Sequence, residues 1–245
     1  MLRFSFALAA LAVAMSATSL TLSLKQHPVG TSIDGTHVDL FITGPVTMDF
    51  RPPDVDVHVD AVIDLGDVQK KFAAIVLARS ITRACGDSIT LRNAAVHPVK
   101  NGTATFAEIT SNATIRRVEC GADAKPRGTP LLVAGALALR LQANVGANER
   151  LAFDITPASG MDAQLAKLLA DRALYDALAA MVSGTLSAAA GSGSITAALS
   201  PDAAAYEPHV KSASFQELPG GVLGAHLVVA LTVPLLKLGD WKIGD

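Results

Sequence analysis

Residues 54–65 read DVDVHVDAVIDL, a pattern that leaves the backbone little choice. Val55, Val57, Val59, Ala61, Ile63 and Leu65 fall on one side of a two-residue period, and Asp54, Asp56, His58, Asp60 and Asp64 on the other. Successive side chains of a strand point to opposite faces, so this is a β-strand with one buried face and one acidic face. Most of the remaining chain reads as further strands laid beside it.

Two turns organise those strands. Leu65-Gly66-Asp67-Val68 has Gly at the first central position that a type II′ hairpin requires. That turn would set Val55, Val57, Val59 and Ala61 opposite Ala78, Val76, Ala74 and Phe72, making 73–78 a strand apolar on both faces. Asp54 would then stand opposite Arg79, with Asp56 and His58 beside Leu77 and Ile75. The second turn, Lys100-Asn101-Gly102-Thr103, carries the Asn-Gly signature of type I′ and joins strands at 88–99 and 103–119. Counting outward sets Cys85 opposite Val118, short of Cys120, with a bulge at Pro98 or at Ala94-Ala95 to absorb part of the slip. Two cysteines at one end of a hairpin predict a Cys85–Cys120 disulfide. Without a Cys-x-x-Cys motif the pair does not read as redox-active, and no His nearby in sequence points to a metal.

The start of the chain supplies a compartment. Met1, Leu2 and Arg3 precede an apolar run at 4–15 and the small residues Ser16, Ala17, Thr18 and Ser19, the three-part order of a secretory signal at 1–19. The alternative is an uncleaved N-terminal anchor, since no charge falls between Arg3 and Lys25. Either way the rest, 20–245, reads as a single β-rich domain that is periplasmic or secreted. The mean hydropathy of +0.39 is high for such a domain. The leader accounts for part; two-faced apolar stretches at 73–78 and 131–141 account for the remainder, and strands of that kind need cover on both sides.

Later in the chain, residues 25–36 look irregular or edge-like, 122–129 a polar loop, and 150–156 a further strand ended by Pro157. The period then changes. Ser159 reads as a helix N-cap with Asp162 three residues on, and Leu165, Leu168, Leu169, Leu174, Leu178, Met181 and Val182 form one apolar stripe, giving one long helix near 160–183, continuous or alternatively broken near Asp171. Gly184 and the AAAGSGS run make 184–194 a flexible connection, followed by strands at 195–199, 210–218 and 223–233, the last two joined by a turn at Pro219-Gly220-Gly221. The fold class is α+β, mainly antiparallel sheet of about eight to ten strands in hairpins with one long amphipathic helix. Long antiparallel strands wrapped on a long helix resemble, in architecture alone and with no motif in common, the BPI-like (TULIP) lipid-binding proteins.

Chemistry is harder to find. A net charge of −2 with 17% charged residues has no basic stripe for nucleic acid. No Gly-x-Ser-x-Gly elbow, phosphate loop or His-Glu-x-x-His is present, so neither an enzyme nor a cofactor is expected. Asp56, His58 and Asp60 share a strand face and are a weak candidate set for a divalent cation, set against a solvated face whose charges discourage aggregation. Arg79, Arg83, Arg116 and Arg117 fall near the cysteine end of the hairpins and are candidates for anionic headgroups, set against pairing with neighbouring carboxylates. The leading expectation is an exported, non-catalytic carrier or chaperone whose helix stripe lines a cup for an apolar, lipid-like ligand, with membrane contact as a further possibility. The alternative is a structural or protein-interaction module of the envelope. Whether the helix stripe and the strand faces fill one another discriminates between the two.

Overall fold

The computed structural model describes residues 19–240; the leader, its cleavage region up to Thr18, and Trp241 lie outside them. Strands β1 (Ser19–Ile33), β2 (Thr36–Arg51) and β3 (Asp54–Asp64) form a meander and lead into helix α1 (Gly66–Ala78). Strands β4 (Gly86–Asn101), β5 (Ala104–Cys120), β6 (Pro126–Val145) and β7 (Leu151–Pro157) come next. Helices α2 (Ala163–Leu168), α3 (Arg172–Ala190) and α4 (Ser192–Leu199) then precede β8 (His209–Leu218) and β9 (Val222–Pro234). The nine strands make one sheet in the order β1-β2-β3-β9-β8-β5-β6-β7, with β4 on the other flank of β5, and every pairing is antiparallel. The α+β expectation holds. A single pair, Thr105 with Phe215, joins β5 to β8, so the sheet behaves as two blades meeting at a narrow seam.

The acidic strand sits in the middle of the first blade, between β2 and β9. Val55, Val57, Val59, Ala61 and Ile63 are fully buried, while His58 and Asp60 face solvent. Burying one face of a period-two pattern fixes register, because a slip of one residue would turn the carboxylates inward.

Residues 66–78 are helix, not the second strand of a hairpin. Val68, Phe72, Ile75 and Val76 are spaced by four, three and one and are the buried residues of α1. Asp67 and Lys71 pair at i,i+4. The run 73–78 looks apolar on two strand faces because a helix distributes the same residues around a cylinder. The true neighbours of β3 are therefore strands: Asp54 lies opposite Arg51 and Pro234, and Asp56 opposite Asp49 and Thr232.

This helix seals edges that the strands leave open. The Asp67 carboxylate accepts the Asp39 amide at 2.9 Å, and Lys71 Nζ donates to the His37 carbonyl at 2.9 Å, along the stretch of β2 where β3 has already ended. Gln69 donates to the Val96 carbonyl of β4 and accepts the Leu223 amide of β9 at 2.6 Å. Backbone groups that the strands leave unpaired are satisfied by three side chains of one helix. Lys71 and the Asp39 amide hold the Asp67 carboxyl below its usual range.

The Cys85–Cys120 disulfide is present, with Cα atoms 5.8 Å apart. The register that delivers it differs from a count outward from Asn101 and Gly102. The hairpin closes on Gly102 and Thr103, with Asn101 opposite Ala104, which moves the pairing two residues toward Cys120. A bulge between Arg92 and Ala95, where Asn93 has φ 52°, takes one residue back and leaves Gly86 opposite Val118.

The helical region departs from expectation in two places. Asp162, not Ser159, caps α2, accepting the amides of Gln164 and Leu165 at 2.9 and 3.1 Å. The break near Asp171 is real, and Asp171 caps α3. The stretch 184–194 is no flexible connection: α3 runs through Gly184 to Ala190 and bends at Gly191 into α4, so that 195–199 is helix where a strand was expected. Alanine is the best helix former, and the Ala188–Ala190 run offsets the glycines on either side. Strand β6 likewise begins at Pro126, inside the expected loop, and β1 is regular through 27–33 after a bulge at Gln26.

Candidate functional site

Of the seven side chains expected to line a ligand cup, Leu165, Leu169, Leu174, Leu178, Met181 and Val182 are buried, and Leu168 packs partly buried beside them. They belong to one continuous core with the inner faces of the strands and with Val68, Phe72 and Ile75 of α1. Helix α3 meets β7 near its start, where Tyr175 Oη donates to the Ile155 carbonyl at 2.5 Å, and reaches β1 near its end. Burial raises the Tyr175 phenol above its ordinary range. The stretch Arg172–Leu199 is long and apolar enough to cross a membrane by length and composition alone, a property shared by core helices of soluble proteins. Where the α3–α4 bend approaches β1, a half-open groove of about 370 Å³ runs between Gly30 and Thr31 on one side and Gly191, Gly193 and Ser194 on the other.

The four arginines divide into two pairs. Arg79 Nε donates to Asp34 at the β1–β2 turn, and its guanidinium lies against Gly184, where a Cβ would meet Nη1. Arg117 makes a two-pronged contact with Asp87 at 2.8 and 3.0 Å and reaches Asp171, the cap of α3, at 2.7 Å. These bonds raise the Arg117 pKa further and hold the Asp171 carboxyl low. Both arginines lock a helix to the sheet. Arg83 and Arg116, by contrast, are exposed and have no side-chain partner among the described residues.

The metal candidates separate. Asp60 pairs with His226 Nε2 at 2.6 Å, Asp56 accepts Thr232 Oγ1 at 2.9 Å and faces Arg51 at 3.3 Å, and His58 Nε2 stands 4.0 Å from Asp49. Among the described residues no three His, Cys, Asp or Glu side chains converge as metal ligands would. This outer face is a chain of cross-strand polar pairs.

The two-faced apolar stretch at 131–141 was expected to be covered on both sides, and instead the first half of β6 is bare. Leu131 and Leu132 are 49% and 64% exposed, and Pro130 and Ala134 are exposed beside them. Strand β7 stops opposite Leu139. Beyond it the Ala158 and Asp162 amides bond to the Ala138 and Ala136 carbonyls at 2.9 and 2.8 Å, and there the cover ends. Backbone groups of alternate residues point the same way across a strand edge, so those of Ala134 and Leu132 face outward too, with no partner among the described residues. On the outer face Leu132 stands opposite Arg116, which stands opposite Ser88, whose hydroxyl bonds the Arg83 backbone. The available signal was the loss of alternation at 131–134, in a segment with no second turn cue to bring up a covering strand. No protein-family model, curated protein or solved structure matches this chain.

Proposed function

We propose that this chain is an exported, non-catalytic module of the cell envelope that acts through contacts on its surface rather than by holding an apolar ligand inside. The observation that carries this reading is that the helix stripe and the strand faces fill one another in one core, while the remaining uncovered apolar surface includes an open strand margin at 130–134. The Cys85–Cys120 disulfide supports an oxidising compartment, in keeping with the secretory leader read at 1–19. The carrier reading keeps one foothold, the groove beside Gly30 and Gly191, whose 370 Å³ falls at the low end of small-molecule sites at about 300–1,000 Å³. Native mass spectrometry on protein purified from the envelope without detergent, before and after solvent extraction, tests the choice. The module reading expects a bare polypeptide of leader-cleaved mass, two hydrogens short for the disulfide. A stoichiometric lipid removed by extraction would overturn it in favour of a carrier.

A further inference from the structure

We propose that the open margin of β6 at Pro130, Leu132 and Ala134 docks a short extended segment of a partner protein, one with alternating apolar and acidic side chains. The proposal rests on the surface-module reading and gives its partner a chemistry. The outward N–H and C=O groups of Leu132 and Ala134 are half of an antiparallel ladder, and an added strand is the partner that satisfies them. The same strand would cover Leu132 and Ala134 on one face and Leu131 and Val133 on the other. Its length is bounded: the Asp162 amide closes one end at Ala136, and Pro130, which has no N–H, closes the other, leaving room for about five residues at about 3.4 Å each.

Charge selects the acidic component. Arg116 lies directly across from Leu132, with Arg83 one strand further on, and neither has an acidic side-chain partner among the described residues. Arg127, on β6 itself, is served only by Asp123 at 3.7 Å, with both side chains well exposed. A lipid surface fits less well, because unpaired strand-edge groups cannot enter hydrocarbon without a hydrogen-bonding partner.

The test uses the mature, disulfide-bonded chain and a fluorescein-labelled alternating Glu-Val peptide, with an alternating Lys-Val peptide as control, read by anisotropy. The Glu-Val peptide should bind, the Lys-Val peptide about tenfold more weakly, and salt at about 1 M should weaken binding. Ala134→Pro should abolish binding without unfolding the sheet, since the N–H it removes points away from β5. Arg116→Glu leaves the backbone untouched and should cost about tenfold while flattening the salt dependence. Undetectable binding to the wild type, or unchanged binding by Ala134→Pro with native circular dichroism, would overturn the proposal. So would a concentration-dependent dimer lost in Ala134→Pro, which makes a second copy the occupant. Flotation with phosphatidylglycerol vesicles in the absence of peptide binding would overturn it too, and make the occupant lipid. An extractable lipid in native mass spectra sinks the module reading itself; its absence together with failed peptide binding sinks only the docking proposal.

Discussion

Among the margins of the sheet, β1 and the first half of β6 are finished differently. In β2 the Asp39 amide and His37 carbonyl point toward α1, so the alternate residues Val38, Leu40 and Ile42 face β1. Their partners Thr31, Val29 and His27 therefore point inward, and Pro28 and Gly30 lie on the free edge. Pro28 offers no donor to an incoming strand, exposed Lys25 stands three residues before it, and the α3–α4 bend faces Gly30 across the groove. On β6 Arg127 and Pro130 match Lys25 and Pro28 of β1, but the residues that follow lack a covering element among the described residues, and the side chains there are leucines. Proteins usually blunt an edge with Pro, Lys or a covering element, as β1 is blunted. The difference teaches that exposure of β6 is local and particular, not a general looseness of the sheet.

That contrast depends on α1 holding the first blade closed, so the largest effect should come from its anchor. Phe72 is fully buried on the face of α1 that meets the core. Phe72→Ala should cost about 3–5 kcal/mol, read as a lowered urea midpoint, through lost burial and an uncollapsed cavity. Hydrogen exchange should rise in β2 at 37–39 and at Leu223, where α1 side chains supply the missing partners. A loss confined to the helix itself would show that the blade closes without it.

Next comes the disulfide, which secures the end of the β4–β5–β6 blade near the bare margin. It closes a loop with a sequence separation of 35, and replacing both cysteines by serine should cost about 2–4 kcal/mol. Amides near 86–89 and 115–120 should exchange faster, while those of β3 and β9 should not. Equal loosening of both blades would erase the distinction between them.

Asp67 tests the seal at β2 more gently. Its folded pKa is lowered by Lys71 and the Asp39 amide, below an unfolded value of about 4. A depressed carboxyl contributes stability that is fully present above the unfolded pKa and is lost as pH falls through the folded one. Asp67→Asn should therefore cost about 1–2 kcal/mol at neutral pH, and the gap from wild type should close below about pH 4. A gap that persists unchanged at low pH would assign the effect to packing instead of charge.

Much of this architecture is legible in the amino-acid order alone. The acidic strand, the β4–β5 hairpin, the turn at Gly220-Gly221 and the disulfide follow from period and turn chemistry, although the hairpin closes on Gly102-Thr103, one residue beyond the Asn-Gly signature. What failed did so for one reason in two places. At 66–78 the Gly66-Asp67 turn cue masked the helical spacing of Val68, Phe72, Ile75 and Val76, at 184–199 short side chains carry little periodicity, and in both places glycine reads as punctuation. Gly66 donates its amide to Asp64, and the Arg79 guanidinium occupies the space that a Cβ at Gly184 would need. Tertiary contacts override local signals there. The candidate arginines were found, but their division into locked and free depends on which carboxylates the helices bring up.

The smallest effect belongs to a contrast within one strand. Leu132 and Leu137 are both leucines of β6, separated by a few residues and opposite Arg116 and Ser111 of the same neighbour, β5. Leu137 is 1% exposed and Leu132 64%. Leu137→Ala should cost about 2–5 kcal/mol, the range for a packed leucine. Leu132→Lys, a far larger chemical change, should stay within about 0.5 kcal/mol of wild type, because nothing in the fold depends on it. If Leu132→Lys were instead strongly destabilising in chemical unfolding of the isolated chain, the margin would already be covered within the molecule, and there would be no open edge for a partner to find.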